Sequence, residues 1–170
     1  MTEKDRQGGD AKLASTLEKF PVVLPNMPAD RMKNSPRQPG TAIIGADFQD
    51  MIIQYPGIIA NIPELENRAA GVGIVNVLPE IDGVTRRIPM VVRTNDLLYP
   101  SMSMETLRVA AGDPSFQVKV NEGSIEALRI PKFGKIVTDN VGRIWIDWSA
   151  RPKEYSLSEL PNDFGGKIVI

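Results

Sequence analysis

The apolar positions along this chain fall into short runs separated by turn signals, and helical spacing shows in three places. Leu13, Ala14 and Leu17 recur after Asp10, which predicts a short helix to about Lys19 with Asp10 as its cap. Residues 20–24 form an apolar run closed by Pro25 and read as a strand. Residues 26–40 carry prolines and charges without periodicity and read as an exposed loop. Residues 41–44 suggest a strand, and 51–62 a covering segment broken by Gly and Pro. Pro63 opens and Gly71 closes a helix in the favoured Pro-first, Gly-last order.

The middle of the chain is the most patterned. Runs 73–78 and 84–93 flank Asp82-Gly83, a dipeptide that supplies the positive φ angles of a tight hairpin. Tyr99-Pro100-Ser101 leads into a helix over 102–111, with Met104, Leu107 and Ala111 as its core stripe and Gly112 as its stop. Short strands follow at 116–120, 125–130, 135–137 and 143–148, then a helical turn at 157–160. The predicted class is α/β: a mixed central sheet containing the 73–78 and 84–93 hairpin, with flanking helices. The run 165–170 looks like a strand just beginning, so the chain reads as a single-domain fragment cut at the C-terminus.

Composition narrows the chemistry. The chain has 170 residues, 42% apolar and 24% charged, as expected of one globular domain. Twenty basic residues against 21 acidic ones leave a net charge of -1, without a polybasic arm. With no Cys and no His, thiol nucleophiles, Ser-His-Asp triads and nearly all zinc sites are excluded. The nearly apolar run 72–78 is far short of the ~20 residues that span a bilayer as a helix. Basic-aromatic interleaving is missing, so no nucleic-acid partner is expected.

Candidate sites are few. Gly71-Val72-Gly73 begins like a dinucleotide fingerprint, but position 76 is Asn76 and the glycines open a strand rather than follow one. They read as a place of tight backbone packing, and neither a cofactor nor a metal is implied. Glu80 and Asp82 beside Arg86 and Arg87 could be an acid–base pair or a cation site, but a turn is where such carboxylates are commonly found. Strand alternation places Arg86 among Val84, Ile88, Met90 and Val92, hence inward, where it needs a carboxylate: Asp82 or Glu105 if structural, an anionic ligand if functional. Arg86, Arg87 and Ser101, with the backbone amides at 102 and 103, make a candidate anion-binding set, in which Glu105 is either a counter-charge setting selectivity or the permanent partner that fills the site. Trp145 and Trp148 fall on opposite faces of one strand, and Arg31, Lys33 and Arg37 read as a solvated cluster.

Gly73, Asn76, Asp82-Gly83-Val84, Arg86-Arg87-Ile88-Pro89, Tyr99-Pro100-Ser101 and the helix bearing Glu105 together resemble the second class of CHASE sensor domains, the cyclase- and histidine-kinase-associated sensing extracellular domains. The segment from Asp139 to Asp147 is similar to the end of that family's pattern, although Trp148 and Ala150 depart from it. The resemblance gives Gly73, Asn76, Asp82, Gly83, Pro89, Tyr99 and Pro100 structural roles, and it implies a domain incomplete on its N-terminal side, without the family's opening strands and downstream membrane helices. It implies a non-enzymatic sensor on the periplasmic or extracellular side of a bacterial cytoplasmic membrane. There it would answer an unknown small-molecule signal in a homodimeric receptor whose same chain carries a cyclase or kinase. A soluble carboxylate- or divalent-ion-dependent enzyme and a ligand-free interaction module are the rival readings. A membrane helix encoded soon after Ile170 would separate the sensor from both.

Overall fold

The computed structural model describes residues 8–45, 52–75, 78–121, 123–151 and 153–159. The elements run α1 (Gly9–Leu17), β1 (Val23–Ala29), β2 (Gly40–Gly45), β3 (Gly57–Ile59), α2 (Pro63–Glu66), β4 (Gly71–Ile74), β5 (Arg87–Pro89), β6 (Val91–Thr94), β7 (Leu97–Pro100) and α3 (Met102–Ala110). They continue with β8 (Ser115–Asn121), β9 (Ser124–Ile130), β10 (Gly134–Ile136), β11 (Arg143–Trp145) and a 3-10 turn (Leu157–Glu159). The architecture is mixed α/β, with mixed sheets and three α-helices. Among the described residues no helix is long and apolar enough to cross a membrane.

Among the described residues the strands divide into four sheets rather than one central sheet: β3-β1-β4, β10-β9-β8-β2, β11-β5 and β6-β7. β1 continues past Pro25 to Ala29, so part of the expected 26–40 loop is strand. Residues 23–26 pair only with parallel β4, and 27–29 only with antiparallel β3. Among the described residues neither half is paired with a strand on both sides, so Pro25 and Pro28 can lack an N–H without breaking a ladder. The cap of α1 is Gly8, not Asp10, and it supplies no side-chain hydrogen bond.

Among the described residues, which leave out 76 and 77, the expected 73–78/84–93 hairpin does not form. The Asp82-Gly83 turn is present: Gly83 has φ 78°, its N–H donates to Glu80 O at 2.8 Å, and Val84 N–H donates to Asp82 Oδ1 at 3.1 Å. Yet β4 pairs with β1, and the 84–93 run breaks at Met90 into β5, which pairs with β11, and β6, which pairs with β7. All four residues of β4 are buried, as suits a parallel strand covered on both faces. The tight hairpin is β6–β7, whose two-residue loop Asn95-Asp96 has φ 49° and 63°, the positive pair of a type I′ turn.

That hairpin separates two apolar cores. Val91 and Leu98 belong to one, with Met104, Phe116, Val118, Leu128 and Ile130. Val92 and Tyr99 belong to the other, with Ile58 and Ile74. Strand alternation sends neighbouring side chains to opposite faces, so one ribbon closes both cores. α3 packs its Met104 into the first core while its N-terminus lies on β4.

Candidate functional site

Four glycine and cap positions dock α3 on β4. A Cβ on Gly73 would sit 2.6 Å from Met102 Cα and 2.8 Å from Met102 N. One on Gly71 would sit 2.4 Å from Glu105 Oε1. Gly71 and Gly73 are therefore places of close backbone approach, as their position at the start of a strand suggested. Pro100 ends β7, and Ser101 caps α3 by accepting from Met104 N–H at 3.2 Å.

Glu105 is 1% exposed and faces this seam. It receives a fork from Arg108, Nε to Oε2 at 2.8 Å and a terminal nitrogen to Oε1 at 2.6 Å, and accepts Val72 N–H at 3.2 Å. Arg108 also donates to the carbonyls of Asp113 and, at 3.4 Å, Ala70. The hydrogen bond and charge of Glu105 raise the Arg108 pKa further above its ordinary value. The pair joins α3 to β4 and to the turn that enters β8.

Arg86 and Arg87 belong to a separate network at the surface. Arg86 binds Asp82 at 2.7 Å and Glu80 at 3.3 Å, and Arg87 binds Glu80 at 2.9 Å and Asp139 at 3.6 Å. Arg143 completes the ladder on Asp139 at 2.8 Å. The Arg86 hydrogen bond, more than any other influence, holds the Asp82 carboxyl at a pKa of about 2. Arg86 is thus not an inward residue of a continuous strand: β5 begins only at Arg87, and the Arg86 side chain is 39% exposed. Its partner is Asp82, and Glu105 has Arg108 instead. The four residues expected around one anion fall into two networks that share no hydrogen bond among the described residues. The Met102 amide lies against Gly73 rather than facing a ligand.

The two tryptophans do not share a strand, because β11 ends at Trp145. The Arg87 guanidinium lies 5.0 Å from the Trp145 ring centroid, and Trp148 Nε1 donates to Thr85 O at 2.9 Å. Among the described residues no group of three acidic residues is arranged to hold a metal ion. Glu80 and Asp82 are neutralised by arginines on the ladder.

Of the remaining motif positions, Pro89 is buried at the end of β5, and Tyr99 is 5% exposed in the second core. Asn76 lies outside the described residues. Burial and then the Glu66 charge push the Tyr99 phenol above its ordinary value of 10.0. Glu66, 1% exposed, accepts from Asn26 Nδ2, Arg37 N–H and Asn61 Nδ2 at 2.8–3.1 Å. The sequence reading passed over Glu66, Asn26 and Arg108; only the i, i+3 spacing of Glu105 and Arg108 on a predicted helix was available as a signal. An open cleft of about 560 Å³ beside β1 and β3 is lined by Ala29, Asp30, Arg31, Lys33 and Ile59.

The chain matches the family model of the CHASE2 domain over residues 1–170. It is a CHASE2 domain. No curated protein and no solved structure matches it. CHASE2 domains are extracellular sensory domains of signalling proteins, not catalytic ones. Of the residues that carried the resemblance, Gly73, Ser101 and Glu105 dock α3 on β4 in this CHASE2 domain, and Asp82, Gly83 and Arg86 build the ladder turn.

Proposed function

We propose that this CHASE2 domain is the extracytoplasmic input domain of a bacterial transmembrane receptor, where it binds a small-molecule signal and relays it to a cyclase, histidine kinase or Ser/Thr kinase in the same chain. The observation that carries this reading is the family match along the whole sequence. The receptor works as a homodimer. A domain without chemistry of its own relays only by binding its signal differently in two states. A ribbon shared by two cores suits that task, since a shift on one face of β6–β7 must repack the other.

The test is topological and functional. The sequence has no Cys, so Val137→Cys, at an exposed position, gives one reporter thiol within this domain of an otherwise Cys-free receptor. A membrane-impermeant maleimide should label it in intact cells, and deleting the domain should make output independent of the growth medium. Labelling only after lysis would overturn the reading.

A further inference from the structure

The open cleft beside β1 and β3 has the size and the framing of a ligand site. Its volume of about 560 Å³ falls within the ~300–1,000 Å³ of small-molecule sites. Its rim is held by the backbone. Lys33 N–H donates to Ile58 O at 2.9 Å, and Ala60 N–H returns to Lys33 O at 3.0 Å. Asn34, at φ 61°, donates through Nδ2 to the carbonyls of Ala60 and Asn61 at 3.0 and 3.1 Å. A Cβ on Gly57 would sit 2.1 Å from Arg31 C, so the 31–32 backbone lies directly on β3. The segment carrying the charges is therefore fixed before any ligand arrives, which lowers the ordering cost of binding.

Asp30, Arg31 and Lys33 are exposed, and none has an ion pair or side-chain hydrogen bond among the described residues. On the ladder, by contrast, Arg86, Arg87 and Arg143 are all matched to carboxylates. Beside the three charges are Ala29 and Ile59, the latter 45% exposed. Two cations, one carboxylate and an aliphatic wall form a complementary set for a molecule with a carboxylate, an adjacent donor and an apolar substituent.

We propose that this cleft binds a small α-amino or α-hydroxy acid, a ligand class that rests on the sensory reading above. The Arg31 fork and the Lys33 ammonium take the carboxylate, since a guanidinium offers two parallel donors to it. Asp30 accepts from the α-ammonium or α-hydroxyl, and Ile59 and Ala29 cover the side chain. The ion-pair ladder and the α3–β4 seam then act as framework.

Calorimetric titration of the 170-residue chain with the natural L-amino acids, lactate, 2-hydroxy-4-methylpentanoate and inorganic phosphate tests this. At least one organic acid should bind with Kd below about 1 mM. Arg31→Gln and Lys33→Gln should each weaken it tenfold or more, at unchanged thermal midpoint because both residues are exposed. Asp30→Asn should weaken amino acids more than hydroxy acids. No binding across the panel, binding indifferent to Arg31→Gln and Lys33→Gln, or phosphate binding as tightly as any organic acid would each overturn the proposal. Such results alongside maleimide labelling in intact cells would leave the sensory reading standing. Labelling only after lysis would remove that reading whatever the titration shows.

Discussion

Arg108→Ala is the substitution the structure singles out as most damaging. It removes the cation from a carboxylate that is 1% exposed and leaves Glu105 with Val72 N–H at 3.2 Å. It also strips a donor from the carbonyls of Asp113 and Ala70. Breaking a buried pair from one side costs about 3–5 kcal/mol, because the surviving charge is left in a poor solvent. A domain of this size has a total stability of only about 5–15 kcal/mol, so the loss should be plain in urea denaturation followed by tryptophan fluorescence. Glu105→Gln should cost less, about 2 kcal/mol, since the amide oxygen still serves Val72 and the arginine keeps its two carbonyls. The double variant Glu105→Leu/Arg108→Met should recover most of the loss, because removing both charges removes the desolvation penalty as well. A cost below about 1 kcal/mol for Arg108→Ala, as for a surface pair, would show that water reaches Glu105 and would refute the argument. A double variant as unstable as Arg108→Ala would refute it too.

Arg86→Ala, on the exposed ladder, should leave the thermal midpoint nearly unchanged; a loss as large as that of Arg108→Ala would put Arg86 back in the interior. Gly73→Ala should cost about 3 kcal/mol, because its methyl meets the backbone of Met102, while Gly83→Ala, with φ 78° and open space, should cost about 1 kcal/mol; equal values by urea titration would contradict the close approach. Carboxyl NMR should find Asp82 titrating at about 2 and returning toward its ordinary 3.8 in Arg86→Gln. Because that pKa is depressed on folding, the stability it adds is present above about pH 4 and fades as pH falls toward 2. Tyr99 works in the opposite sense: its raised pKa means the unfolded chain releases the phenolic proton first. Its contribution is complete below pH 10 and declines above it, which phenolate absorbance and circular dichroism should register together.

Local signals were legible wherever the neighbouring residues decide the conformation. Ser101 and Gly112 bracket α3 as the pattern indicates, and Gly83 does turn the chain at positive φ. The expected strand at 125–130 forms β9, which starts one residue earlier at Ser124. The chain's membership in the CHASE2 family was legible too, and of the residues that suggested it Gly73, Asp82, Gly83 and Ser101 are close-approach, turn and cap positions whose identities geometry restricts. The candidate anion set was less legible. It assumed that 84–93 is one strand, and the break at Met90 changes the face of everything before it.

The sequence by itself determined the α/β class, the bounds of α3, the Asp82-Gly83 turn and the lack of thiol and imidazole chemistry, since each depends on local backbone preference or on which atoms exist at all; α1 starts from Gly8 rather than Asp10, and α2 stops at Glu66 rather than running to Gly71. Only the tertiary structure decided which strands pair, and hence which charges meet. The Asp82-Gly83 turn bends the chain, but β4, buried on all four residues, takes a parallel partner distant in sequence, while Asn95-Asp96 closes the hairpin instead. Arg86, Arg108 and Arg31 are the same residue type in one chain. One lies on a surface ladder, one is buried against Glu105, and one stands free of ion pairs among the described residues on a cleft. Burial and partner are properties of the packed fold, and for a charged side chain they set both the cost and the use.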